Sequence, residues 1–206
     1  MAPRTLDHVA LWVSERDAIA EACVSELGMH EIERTDAFTL IGADARRGKL
    51  TLFAADPPRE QGALKHMAFR VPGGGGDLEL PDGLVVKAVD GAEGDLDHVA
   101  LWSAAPERTA EEYLGLGFQP AGPTRVEVGG AYVEFHQGEP GDPERPLLNH
   151  LAVLVDSAEE HRAEAAAAGL EVADFVDAPN TIAVFVWGPE RVKIEYVEHK
   201  PTFSLK

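Results

Sequence analysis

Apolar and polar positions alternate with period two over a series of short runs, and longer stretches of helical spacing interrupt them. "LDHVALWV" (6–13), "HEIER" (30–34), "AFTLIGA" (37–43) and "KLTLFAA" (49–55) alternate as half-buried strands do. Between the first two, "SERDAIAEACVSELGM" (14–29) has the spacing of a helix, with Ser14 as N-cap and Gly28 just past the end. The pattern predicts one βαβββ unit.

The same order then returns. "LDHVALW" occurs at Leu6–Trp12 and again at Leu96–Trp102, an offset of 98 − 8 = 90 residues, which is too long for a solenoid repeat. The second copy leads into the helical "APERTAEEYLGLGF", closed by Gly117, and then into "TRVEVGG" and "AYVEFHQ". A further unit opens with "LNHLAVLV" at His150. It continues through the helix "SAEEHRAEAAAAGL", ended by Gly169, to "LEVADFV" and the hairpin "TIAVFVWGPERVKIEYVE". A fourth strand of this kind, "LKHMAFRV" at His66, is followed by "PGGGGDLELPDG", too rich in glycine for a helix and lacking the lysine of a P-loop. The chain thus holds four units, three complete and one truncated.

Composition narrows the function without choosing it. The 206 residues carry 36 acidic and 18 basic side chains, a net charge of −18 that repels phosphate backbones and anionic lipid surfaces. Nucleic acid and membrane are not expected partners. No run approaches the ~18 apolar residues needed to span a bilayer, and the expected location is the cytoplasm. The single cysteine, Cys23, falls in a helical pattern and reads as a small buried hydrophobe.

Serial βαβββ units with "DHVALW", "NHLAVLV" and "VFVWGPERVKIEYVE" at these places resemble the vicinal oxygen chelate superfamily. It includes glyoxalase I, fosfomycin-resistance enzymes, bleomycin-resistance proteins, methylmalonyl-CoA epimerase and extradiol ring-cleaving dioxygenases. The resemblance covers nearly the whole chain. It implies an α+β fold of cupped mixed sheets in two glyoxalase-like halves, 1–94 with the truncated unit and 95–206 with the site. Pairing of units within the chain or by exchange in a homodimer is compatible with it.

The resemblance also implies one divalent metal ion, with a ligand from the first strand and a glutamate from the last strand of each paired unit. Four-unit dioxygenases carry the metal in the C-terminal pair, and the matching residues here are His98, Glu134, His150 and Glu195. Glu134, Glu195 and His136 are the catalytic candidates, His136 because it lies two residues beyond Glu134 on the same strand face. A set of imidazoles and carboxylates suits Fe, Mn, Ni, Co or Zn. His8 and His66 are left as structural relics, because Leu52 stands where the first unit needs a glutamate and the second unit has lost its helix.

Ligand count then separates the reactions on a small-molecule substrate that chelates through vicinal oxygens. All four ligands would leave two open positions and favour an isomerase or lyase working through an enolate- or alkoxide-like intermediate. Three ligands, His98, His150 and Glu195, would form a facial triad open to a catechol and dioxygen. Against that second reading, Phe185 and Val176 hold the places where ring-cleaving enzymes usually carry a tyrosine and a histidine. A metal-free binding protein of the resistance type is the third reading.

Overall fold

The computed structural model describes residues 3–204. Unit 1 comprises β1 (Thr5–Val13), α1 (Arg16–Leu27), β2 (His30–Arg34), β3 (Phe38–Asp44) and β4 (Arg47–Ala54). Unit 2 is the short one: β5 (Leu64–Val71), β6 (Asp77–Glu79) and β7 (Val85–Asp90), with a 3-10 turn at Pro81–Gly83. Unit 3 holds β8 (Asp95–Ser103), α2 (Pro106–Leu114), β9 (Gln119–Gly122), β10 (Arg125–Val128) and β11 (Ala131–Gln137). Unit 4 holds β12 (Leu148–Leu154), α3 (Ala158–Ala167), β13 (Val172–Asp177), β14 (Thr181–Trp187) and β15 (Lys193–His199), with a second 3-10 turn at Pro189–Arg191.

In every unit the first strand lies parallel to the last. The units then join through their first strands, which run antiparallel: β1 with β12, and β5 with β8. One sheet has the order β13-β14-β15-β12-β1-β4-β3-β2 and the other β6-β7-β5-β8-β11-β10-β9. The pairing is therefore nested, with units 1 and 4 forming an outer cup and units 2 and 3 an inner cup. The sheets do not separate between residues 94 and 95. Each of the stretches 1–94 and 95–206 gives one unit to each cup.

Alternation along the central strands sorts side chains between the concave face and the core. Val9 and Leu11 of β1, Leu151 and Val153 of β12, Met67 and Phe69 of β5, and Val99 and Leu101 of β8 are all buried in one apolar cluster that spans both sheets. Burying each such side chain contributes about 1.5–3 kcal/mol. Gly28, Gly117 and Gly169, expected to close the helices, all adopt positive φ, a conformation a Cβ would strain.

Ser14 does something other than cap a helix with its side-chain oxygen. It donates its backbone N–H and its hydroxyl to the carboxylate of Asp82 at 2.7 and 2.6 Å, and α1 starts two residues later. Asp82 belongs to the 3-10 turn of unit 2, so the inner cup holds the lead-in to a helix of the outer one. Unit 4 makes the reciprocal contact, as Glu190 in its 3-10 turn accepts a hydrogen bond from Thr109 of α2 at 3.1 Å.

Candidate metal centre

The outer cup gathers its chemistry where β1, β12 and β15 lie side by side. The register sets His8 against Ala152 and His150 against Ala10, and Glu195 against Ala152 on the other side. An alanine opposite each histidine leaves room for the rings to lean together. His8 Nε2 and His150 Nε2 stand 3.1 Å apart, and Glu195 Oε2 lies 3.2 Å from the first and 2.9 Å from the second. Among the described residues this is the one group of three whose donor atoms converge closely enough to hold a metal ion.

Neighbouring side chains fix which nitrogens face inward. His8 Nδ1 lies 2.8 Å from Asp7 Oδ1, and His150 Nδ1 lies 3.1 Å from Asn149 Oδ1; each contact holds the proton on Nδ1 and turns Nε2 to the centre. Asp7 is buried beside Lys49, whose amine is 3.0 Å from its Oδ2, and His199 Nε2 is 3.2 Å from the same oxygen. Burial opposes ionisation of Asp7, yet Lys49, His199 and His8 outweigh it and hold the carboxyl well below the usual range. Phe203 stacks on His199 and shields this side.

The charges of the cluster are unequal. Burial opposes a proton on His8, but the Asp7 carboxylate, by hydrogen bond and charge, and the Glu195 carboxylate 3.2 Å away push its pKa up to about 9. Burial wins at His150, whose pKa is lowered. Burial also opposes the Glu195 carboxylate, but His150 and His8 bring its pKa down to about 2. Without a metal, a proton on His8 Nε2 would lie between His150 Nε2 and the Glu195 carboxylate. Even so, Glu195 Oε2 is buried with no hydrogen bond of good geometry. Two inward nitrogens and an orphaned carboxylate oxygen are the donors a divalent cation satisfies. Ligands held cis by bonds of about 2.1 Å lie about 3.0 Å apart, which is the spacing found here.

The inner cup repeats half of this arrangement. His66 Nε2 and His98 Nε2 are also 3.1 Å apart, and His98 Nδ1 lies 2.8 Å from Asp97 Oδ2. Lys87 pairs with Ala68 in the register as Glu195 pairs with Ala152, so a lysine stands where the outer cup has its carboxylate. Glu134, on β11 of this sheet, accepts from Arg125 at 3.3 Å and lies 3.7 Å from His136 Nε2.

No family model matches the chain, and no curated protein does. Solved structures do. A "putative dioxygenase" from Bacillus subtilis subsp. subtilis str. 168 superposes with a TM-score of 0.75 at 14% identity, over 98% of this chain and 87% of that one. Glyoxalase I from Zea mays does so with a TM-score of 0.72 at 13% identity, over 94% and 92% of the two chains. The protein has the vicinal oxygen chelate fold. At these identities the likeness extends to the fold, and the chemistry rests on the residues themselves.

Within the vicinal oxygen chelate fold, two of the four expected ligands meet. His150 and Glu195 come together in the outer cup, while His98 and Glu134 lie in the inner sheet, because unit 3 pairs with unit 2 and not with unit 4. His8, expected to be a relic, completes the outer cluster. On β4 the position facing this cup is Thr51, which pairs with Ala10 as Glu134 pairs with Ala100; Leu52 points into the core. His136 lies with Glu134 in the inner cup. A sequence signal for His8 did exist, since both copies of "LDHVALW" place an aspartate before the histidine, ready to orient its ring.

Proposed function

We propose that the protein is a divalent-metal-dependent enzyme that binds a small substrate through two neighbouring oxygens in the outer cup, with His8, His150 and Glu195 as ligands. A bound metal supplies Lewis-acid stabilisation of the negative charge that develops on those oxygens. The remaining work belongs to the chain. Asp7 and Asn149 orient the two imidazoles, Lys49 and His199 keep Asp7 ionised, and Phe185 packs edge-on against His150 with ring centroids 5.2 Å apart, keeping water from that side.

One observation ranks the reactions. Thr51, not a carboxylate, stands where a fourth ligand would come from, so two histidines and one carboxylate would hold the ion and would leave three positions open if it were octahedral. That is enough for a chelating diol and one further small molecule, and it supports an oxygen-consuming reaction on a catechol-like substrate over an isomerase that needs Glu134 as fourth ligand. The phenyl ring of Phe185 supports the second reading, proton transfer or addition next to a carbonyl, because it offers no acid or base at the place where ring-cleaving enzymes use one. Iron-loaded protein mixed with catechol under oxygen distinguishes them. The first reading expects oxygen uptake and a yellow ring-opened product, both lost in Glu195→Ala. Metal uptake without oxygen consumption would transfer the assignment to the second.

A further inference from the structure

The concave face of the outer cup carries two lysines, and their surroundings differ. Lys49 is buried and held by Asp7 and by the carbonyl of Ala45. Lys193 is half-buried, and among the described residues no carboxylate or hydrogen-bond acceptor engages its amine. Its amine lies over the face of Trp187, with Nζ 5.2 Å from the ring centroid. In a chain with twice as many acids as bases, a lysine left unpaired inside a cleft is an uncommon use of positive charge.

Its place relative to the metal cluster is set by the strand. Lys193 and Glu195 are two residues apart on β15 and so share a face, with Cα atoms about 7 Å apart. Opposite them on β14, Trp187 pairs with Lys193 and Phe185 with Glu195, so both positions are backed by aromatic rings. Lys193, Arg191, Trp187, Trp12 and Asn149 line one cleft of about 270 Å³, and Asn149, which contacts His150, joins it to the cluster. Its acidic rim residues Asp142 and Glu144 are solvent-exposed, and Glu190 is engaged by Thr109.

We propose that Lys193 is a specificity-determining residue, selecting substrates that carry a carboxylate about one strand repeat away from the two oxygens bound by the metal. The class is a small, flat dihydroxy acid with its ring along Phe185 and Trp187 and its carboxylate on the Lys193 amine. This inference rests on the metal reading of the outer cup.

The test uses cobalt(II)-loaded protein, whose visible bands report a ligand entering the coordination sphere, with catechol and 3,4-dihydroxybenzoate as the two probes. Both should perturb the bands in the same way, the acid with a Kd about tenfold lower, as one charge-assisted hydrogen bond supplies. Lys193→Gln should erase that preference and leave cobalt binding and the Kd for catechol unchanged, while Lys193→Arg should keep most of it. Equal affinities in the native protein, or a Lys193→Gln variant that weakens both probes alike, would overturn the proposal alone. Native protein that takes up no cobalt overturns the metal reading and this proposal with it.

Discussion

The two cups are built to one plan, and at the centre of each a histidine from either strand brings its Nε2 within 3.1 Å of the other. In the outer cup both Nδ1 atoms face oxygens, so both Nε2 atoms turn inward as lone pairs unless an extra proton or a cation separates them. In the inner cup Lys65 stands where Asn149 stands in the outer, and no described residue accepts from His66 Nδ1. His66 is then free to carry its proton on Nε2 and donate it to His98. That pair is satisfied while neutral, and Lys87 supplies a positive charge where Glu195 supplies a negative one. What sets the candidate metal site apart is thus less its histidines than what holds their far nitrogens and what charge stands third.

The widest separation between the cups is metal retention. Elemental analysis of the native protein should find one equivalent, which His150→Ala should abolish and His66→Ala and His98→Ala should leave in place. A native protein that loses its metal with His98→Ala would reverse the assignment of the cups. The contrast can also be removed from the other side. Lys65→Asn with Lys87→Glu gives the inner cup the oriented ring and the carboxylate it lacks, and calorimetric titration should then show a second, weaker equivalent.

Next in size is the support beneath His8. Asp7→Ala strips a buried amine of its partner and should cost about 3–5 kcal/mol in urea unfolding. It should also weaken metal binding by about 10–100-fold. Asp97→Ala, at a partly exposed position in the inner cup, should cost below about 1 kcal/mol. Similar losses for the two variants would refute the view that the outer cup alone has a built ligand support.

The smallest effect is a difference in sign. His8 has a raised pKa of about 9 in the folded state, so in metal-free protein its stabilising contribution is full below about 6.5 and is lost as the pH rises through 9. His66 is lowered to about 4, by burial and then by His98, Lys87 and Lys65. Its contribution is present above about 6.5 and lost as the pH falls through 4. Unfolding midpoints across pH should lose their alkaline slope in His8→Gln and part of their acid slope in His66→Gln.

Strand and helix positions were legible in the sequence because each is a local matter of spacing. "HEIER" is β2 residue for residue, and the truncated unit lacks its helix where glycine forbids one. Unit pairing was not legible in this way. Four first strands of similar pattern can join in more than one set of couples, and no periodicity along a strand records which neighbour it will find. That single unknown moved His98 and Glu134 away from His150 and Glu195 and brought His8 in. The fourth position was lost by one residue, since in a strand such a shift exchanges the core for the cup and turns Thr51 into Leu52.

Nesting also imposes an order of events in time. As the chain is made, β1 presents His8 early, but its partners β12 and β15 come after the whole of units 2 and 3. The inner cup can close on consecutive segments while one edge of β1 stands open. The candidate cluster is then completed only when β15 follows units 2 and 3, and a chain interrupted before Glu195 would lack the third donor. An ion held by His8, His150 and Glu195 would therefore report that translation had passed Glu195.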